Sequence, residues 1–165
     1  MIADILSLFE KHSGKLLSLT DGTYDFRVMI NWVSKSVLTP SSWERPVILA
    51  NLEVTNRSKQ ACQISKVFLK SGDQSILSSS FELNERRQSS DQTPLIKVYL
   101  PDIDRSANIR VPSFDVERMK STYLQSFEST TGTVLFEIPE NLIDKTNFSI
   151  ALQIGGYPDI FEADL

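Results

Sequence analysis

Between Val47 and Leu69 the chain runs Val-Ile-Leu-Ala-Asn-Leu-Glu-Val-Thr-Asn-Arg-Ser-Lys-Gln-Ala-Cys-Gln-Ile-Ser-Lys-Val-Phe-Leu, and this stretch constrains the fold more than any other. Ile48, Ala50, Leu52 and Val54 fall on every second position against Asn51, Glu53 and Thr55, the period of a strand with one face in a core. Asn56, Arg57, Ser58 and Lys59 interrupt the pattern, and apolar residues resume at Cys62 and Ile64. Two strands joined as a hairpin are the expectation. In the second strand Cys62 and Ile64 share one phase while Val67 and Leu69 take the other. A β-bulge at Ser65-Lys66 is therefore expected to re-aim the later residues at the core.

The same period recurs along the chain. Tyr24, Phe26, Val28, Ile30 and Trp32 occupy alternate positions, so all five are expected on one buried face. Asp21-Gly22 before them suits a two-residue hairpin turn. Ser34 to Pro46 reads as a loop, and Ser71-Gly72-Asp73-Gln74 as a turn before a weaker strand near Ile76 to Leu83. Asn84 to Pro94 contains no apolar residue and reads as an exposed loop. Further strands are expected at Leu95 to Leu100, at Asn108 to Val116 with a distortion at Pro112, at Thr133 to Ile138 and at Phe148 to Ile154.

Two segments have helical spacing. Ile2, Ile5, Leu6 and Phe9 form one stripe, with Asp4, Glu10 and Lys11 elsewhere and Gly14 as a stop. Residues 1–14 are thus expected to be a short amphipathic helix beside a single β domain over 15–165, its stripe packed on that domain or, alternatively, on a partner surface, the acids disfavouring a membrane. Val116, Met119, Tyr123, Leu124 and Phe127 suggest a second helix, a crossover over Glu117 to Phe127. About seven to nine short strands with frequent turn signals predict an all-β fold, an antiparallel sandwich.

Leu52-Glu-Val-Thr-Asn-Arg-Ser58, Ile64-Ser-Lys-Val-Phe-Leu69, Gly132-Thr-Val-Leu-Phe-Glu-Ile-Pro139 and Phe148-Ser-Ile-Ala-Leu-Gln-Ile154 together resemble the strand signatures of immunoglobulin-like domains in bacterial and phage proteins. Small lipoproteins with telokin-like sandwiches carry similar strands. The resemblance implies an immunoglobulin-like β-sandwich. It covers about half the chain and consists of packing residues, so it implies a fold rather than an activity. The lipoproteins' lipidated N-terminal cysteine has no counterpart here, so surface anchoring is not implied.

The residue inventory narrows the function classes. A formal net charge of −4 opposes a nucleic-acid backbone, and no basic patch of useful size is visible; Arg86-Arg87 is the densest spot. Cys62 is the only cysteine and His12 the only histidine. One thiol allows no internal disulfide, and the pair leaves almost no material for a nucleophile with a histidine base or for a His/Cys metal site. No cofactor is implied. No stretch approaches the ~18 apolar residues of a membrane span, and Met1 to Gly14 has acids instead of a continuous apolar run, so a cytoplasmic, non-enzymatic protein is expected.

Two alternatives remain for what it binds. Trp43-Glu44-Arg45, on a loop bounded by Pro40 and Pro46, is the type of aromatic group that anchors a partner protein; the alternative, slightly favoured because exposed Trp is uncommon on monomers, is that the ring folds inward and caps the core. Ile160 and Phe161 in the tail form a second candidate contact. These point to a protein-protein interaction module with an accessory, inhibitory or assembly role. Asp102, Asp104, Ser106 and Asn108 alternate like the first half of a calcium loop, but Ala107 stands where glycine is needed and Ser113 where the bidentate Glu belongs; Asx turns explain the same residues. With Trp43 they make the second alternative, a loop-end module for carbohydrate or calcium. Alternating strand directions would gather residues 34–45, 71–74, 101–107 and 140–146 at one end, and would bring Arg86 and Arg87 near Asp159, Glu162 and Asp164 at the other. Homodimerisation through a sheet edge or the Ile2 to Phe9 stripe is compatible with either alternative.

Overall fold

The computed structural model describes residues 16–21, 24–38, 45–88, 90–114, 116–142, 149–155 and 160–164. Twelve strands are present among them: β1 (Leu16–Asp21), β2 (Tyr24–Leu38), β3 (Arg45–Asn56), β4 (Cys62–Ser71), β5 (Gln74–Leu77), β6 (Glu82–Gln88), β7 (Pro94–Leu100), β8 (Arg105–Arg110), β9 (Thr122–Leu124), β10 (Ser129–Glu137), β11 (Ser149–Ile154) and β12 (Ile160–Asp164). Two single 3-10 turns, Pro101–Ile103 and Glu140–Leu142, complete the described elements. The expected N-terminal helix lies outside the described residues.

The strands form three antiparallel sheets. The central one has the order β1-β2-β3-β10, the second β12-β11-β4-β5 with β9 also on β4, and the third β6-β7-β8. The central sheet uses both faces. Phe26, Val28, Ile30, Ile48, Leu52, Val54 and Phe136 point inward against Ile64, Val67, Leu69, Ile150 and Leu152 of the second sheet. Val47, Leu49 and Leu135 point the other way and are covered by Ile96, Val98, Leu100, Ile109 and Phe81 of the third sheet and its approach. That is why Val47 to Ala50 and Val134 to Phe136 are unbroken apolar runs: strands buried on both sides do not alternate.

The third layer covers only half of the outer face. Asn31 Nδ2 donates to Asn51 Oδ1 at 2.8 Å, and Asn51 Nδ2 donates to Thr133 Oγ1 at 3.1 Å, a polar row across β2, β3 and β10. Beyond it Glu53 and Thr131 are exposed. The β8 edge rests on β2, where Ser34 Oγ donates to Arg110 O and Ser36 Oγ donates to Asn108 O at 3.2 Å. Hydroxyls thus satisfy edge carbonyls that have no ladder partner.

Several expectations change. The Val47 to Leu69 stretch is two strands but not a hairpin, since β3 and β4 lie in different sheets. Asn56 explains the crossing: its Nδ2 donates to Gln60 O, Leu124 O and Gln125 O, and its Oδ1 accepts from Ser58 N, so the polar break is a nailed corner. The bulge is where the phase change puts it, with Gln153 opposite Lys66, Ile154 opposite Ile64, and Ser65 unpaired between them. A second bulge at Asn31 was not foreseen. It inverts the phase of β2, so Trp32 packs on the outer core instead of sharing the Tyr24 to Ile30 face.

β2 continues to Leu38, opposite Arg45, so β2 takes residues 34–38 and β3 takes 45 and 46 of the expected 34–46 loop. The expected strand over Ile76 to Leu83 divides between β5 and β6 in separate sheets. The polar stretch 84–94 forms most of β6, an edge strand paired only to β7, whose two faces are solvated except at Leu83 and which needs no apolar residues. Glu117 to Phe127 is not a helix. Val116 is buried in the outer core, Leu124 in the inner one, and Tyr123 and Phe127 are in solvent; the helical spacing is a coincidence of an extended segment that serves two cores. The strand count exceeds the expected seven to nine because of the third sheet and the extra edge strands.

Candidate functional site

The second sheet has a gap in one edge. β4 is paired to β9 through Cys62, Gln63 and Ile64 and to β5 through Phe68 to Ser71, and neither neighbour reaches Ser65 and Lys66 at the bulge. Facing this gap is the edge of β10, held at two points. Thr133 N donates to Glu117 O at 2.7 Å and Met119 N to Thr133 O at 2.9 Å; further along, Ser79 N donates to Leu135 O at 2.8 Å. Between these two attachments the structure opens a cleft of about 280 Å³. An inner extension of about 50 Å³ reaches Ile64, Val67 and Val134.

Close packing shapes one wall. At Gly132 a Cβ would stand 2.4 Å from Met119 Cα, so only glycine lets the 117–119 segment lie this near β10. That segment and its continuation carry Arg118 and Lys120 to the cleft, opposite Lys66 from the bulge, with Ser78, Ser79, Ser80 and Ser121 among the other lining residues. The lining contains three cations and no carboxylate, histidine or cysteine. An adjoining depression of about 370 Å³ carries Glu137, and Ser79 Oγ donates to Glu137 Oε2 at 3.3 Å.

On the same edge stand two exposed aromatic rings. Tyr123 in β9 is 61% exposed, and Phe127 in the turn before β10 is 69% exposed. Phe127 has φ 66°, a left-handed conformation that costs a bulky residue free energy. Its N–H donates to Asn56 O at 2.6 Å and the neighbouring Ser126 Oγ donates to Ser58 O at 2.5 Å, so the corner imposes the conformation and turns the ring outward.

The sequence candidates distribute differently. Trp43 and Glu44 lie outside the described residues, as does His12. Arg45 opens β3 opposite Leu38. Ile160 and Phe161 are in β12, opposite Gln153 and Leu152 at a sheet edge, on the far side of the second sheet from the cleft. Asp102 sits in the exposed 101–103 turn, and Asp104 at φ 51° accepts a 2.8 Å hydrogen bond from Tyr99 Oη. That bond, followed by desolvation and the charge of Asp104, raises the Tyr99 pKa above its ordinary value. Among the described residues no group of three or more His, Cys, Asp or Glu side chains could hold a metal ion. Arg86 and Arg87 are in the third sheet and β12 is in the second, with the central sheet between these layers, so the expected juxtaposition with Glu162 and Asp164 does not form.

Cys62 is buried in the inner core, and burial pushes its thiol up to about 11, which makes it inert at neutral pH. Asn56, whose Asn-Arg-Ser triplet matches a glycosylation pattern, has its amide nitrogen committed to three carbonyls. No helix among the described residues is long and apolar enough to cross a membrane. Reasoning from sequence missed the cleft, although the Ser78-Ser79-Ser80 run, the Arg118-Met-Lys120 spacing and the Ser65-Lys66 bulge were each visible. Comparisons with protein-family models, with curated proteins and with solved structures find no match.

Proposed function

We propose that this protein is a non-catalytic, immunoglobulin-like module that binds another protein through the β9 edge, with Tyr123 and Phe127 as anchors. The strand order supports the fold reading. β3 and β10 are neighbours in one sheet, β4 and β11 in the other, and both β3-to-β4 and β10-to-β11 connections cross between them. In immunoglobulin-like terms β2-β3-β10 take the places of A-B-E and β12-β11-β4-β5 those of G-F-C-C′. The third sheet is then an insertion between C′ and E, and the resemblance of the strand sequences to bacterial and phage immunoglobulin-like domains agrees with this order.

The observation that carries the binding reading is Phe127, an aromatic ring turned into solvent on strained backbone. Strain at an exposed bulky residue is a cost to stability that packing does not return, and such strain gathers at sites of function. An accessory, inhibitory or assembly role follows from binding without turnover, and the free thiol of Cys62 suits a cytoplasmic location.

The test is affinity capture from the native host's lysate with wild type, Tyr123→Ser/Phe127→Ser and Trp43→Ala side by side. The expected result is a stoichiometric protein retained by wild type and Trp43→Ala and lost by the double variant. Loss on Trp43→Ala alone would move the contact to residues 39–44 and overturn the β9 assignment. Turnover that depends on His12 or on a carboxylate pair would remove the non-catalytic reading altogether.

A further inference from the structure

The cleft between β4 and β10 has a chemistry that the partner-binding reading does not use. Lys66 comes from the β4 bulge, and Arg118 and Lys120 from the segment docked on β10. None of the three forms an ion pair among the described residues. In a chain with an excess of acids, three cations brought to one cleft without one carboxylate in its lining leave a local positive field that an external anion would neutralise.

The hydroxyls sort by what they already do. Ser65 Oγ donates to Gln153 O at 2.9 Å, and Ser79 is committed to Glu137. Ser121 Oγ accepts from Gln63 Nε2 at 2.9 Å, which orients its oxygen and leaves its proton to donate. Ser78 and Ser80 also line the cleft, and neither side chain has a hydrogen-bond partner among the described residues. Three cations and three hydroxyl donors match a doubly charged tetrahedral oxyanion better than a planar, singly charged carboxylate. A volume near 280 Å³ suits a small phosphorylated group and not a nucleic-acid strand.

We propose that this cleft is a phosphate-monoester site, with Arg118, Lys120 and Lys66 supplying charge and Ser78, Ser80 and Ser121 supplying hydrogen bonds. The same chemistry can arrive as a free phosphorylated metabolite or as a phosphorylated side chain of a protein, and the site does not depend on the Tyr123 and Phe127 contact.

The test is a titration followed by amide NMR of the full chain, using inorganic phosphate, a phosphoserine tripeptide, and the same tripeptide with Glu or unmodified Ser at its centre. Saturable shifts at residues 78–80 and 118–121 with phosphate or phosphoserine, and at least a tenfold weaker affinity in Arg118→Gln/Lys120→Gln at unchanged thermal stability, are the expected result (tenfold being about 1.4 kcal/mol). Stronger binding of the phosphoserine peptide than of phosphate identifies a protein source; equal binding identifies a free phosphorylated compound. Equal binding of the Glu peptide, shifts located elsewhere, no shifts at millimolar ligand, or undiminished affinity in the double variant would each overturn the assignment. Lys66→Gln, on the opposite wall, serves as a second variant should Arg118→Gln/Lys120→Gln fail to fold.

Discussion

The two faces of the central sheet carry two differently built cores. The inner one, against β4 and β11, takes alternate residues from Tyr24 to Ile30 of β2, from Ile48 to Val54 of β3 and Val134 and Phe136 of β10, and its aromatic rings are Phe136 and the stacked pair Tyr24 and Phe26 at 6.1 Å. The outer one takes only Val47, Leu49 and Leu135 from the central sheet, with Trp32 at its margin, and the rest from β7, β8 and the flanking residues Phe81, Val111 and Val116. The inner core therefore binds the whole body together, while the outer layer rests on a patch covering half a face. A layer held by fewer contacts should open first, as a unit.

The largest expected effect breaks the inner core. Phe136→Ala removes a fully buried ring and should cost about 3–5 kcal/mol, with a matching loss in denaturant midpoint for every spectroscopic probe. Ile96→Ala in β7 removes a side chain that is equally buried. It should cost about 2–4 kcal/mol locally, yet hydrogen exchange should show β6, β7 and β8 losing protection while β3, β4 and β11 keep theirs. Uniform loss of protection in both variants would make the three layers one cooperative unit and erase the distinction.

Gly132 lies at the edge where the outer layer's continuation returns to β10. Gly132→Ala sets a Cβ against Met119 backbone and should cost about 2–3 kcal/mol, because the Glu117 and Met119 hydrogen bonds to Thr133 cannot survive the displacement. Arg118 and Lys120 would move with that segment, so phosphate affinity should fall along with stability. Gly72, with φ 56° and open space around it, tests the opposite case: Gly72→Ala should cost about 1 kcal/mol from backbone strain alone and leave the cleft unchanged.

The inner core was legible from sequence and the outer one was not, for a physical reason. Alternation announces a strand with one dry face, and Ile48, Ala50, Leu52 and Val54 announce it clearly. Val47 and Leu49 fall on the face that the pattern assigns to solvent, and only a third layer makes them buried. The bulge at Ser65 could be read because both phases were apolar; the one at Asn31 could not, since Trp32 fits either core. β6 has no pattern because an edge strand with two wet faces imposes none. The cleft was invisible because its cations come from β4 and from a segment read as helix, and only the pairing of Met119 with Thr133 brings them together. The hairpin reading of residues 47–69 failed because Asn56 turns a corner that a polar run alone does not distinguish from a tight turn.

A smaller effect concerns the corner itself. Phe127→Gly relieves a left-handed backbone that costs a non-glycine residue about 1–3 kcal/mol, against about 0.5–1 kcal/mol of chain entropy that glycine loses on folding. Stability should rise by up to about 2.5 kcal/mol on these figures, while partner capture falls. An increase in stability with capture intact would separate the strain from any contact made by the ring.

A last effect is a pH dependence confined to the inner core. Cys62 faces Leu124 across the β4-β9 pair, and burial holds its pKa at about 11 against an ordinary 9.0. The folded state therefore keeps the proton longer than the unfolded chain does. Its contribution to stability is complete below pH 9, and it declines as rising pH ionises the thiol in the unfolded state first, levelling off only above the folded pKa. Wild type should lose stability between these two values by more than Cys62→Ala does, since the variant has no thiol to ionise and shares every other alkaline titration. Chevron or equilibrium unfolding at pH 8 and pH 10 reads the difference directly. Parallel losses in the two proteins would mean that water reaches the β4-β9 pair, and the inner core would then be open at the same edge that carries the cleft.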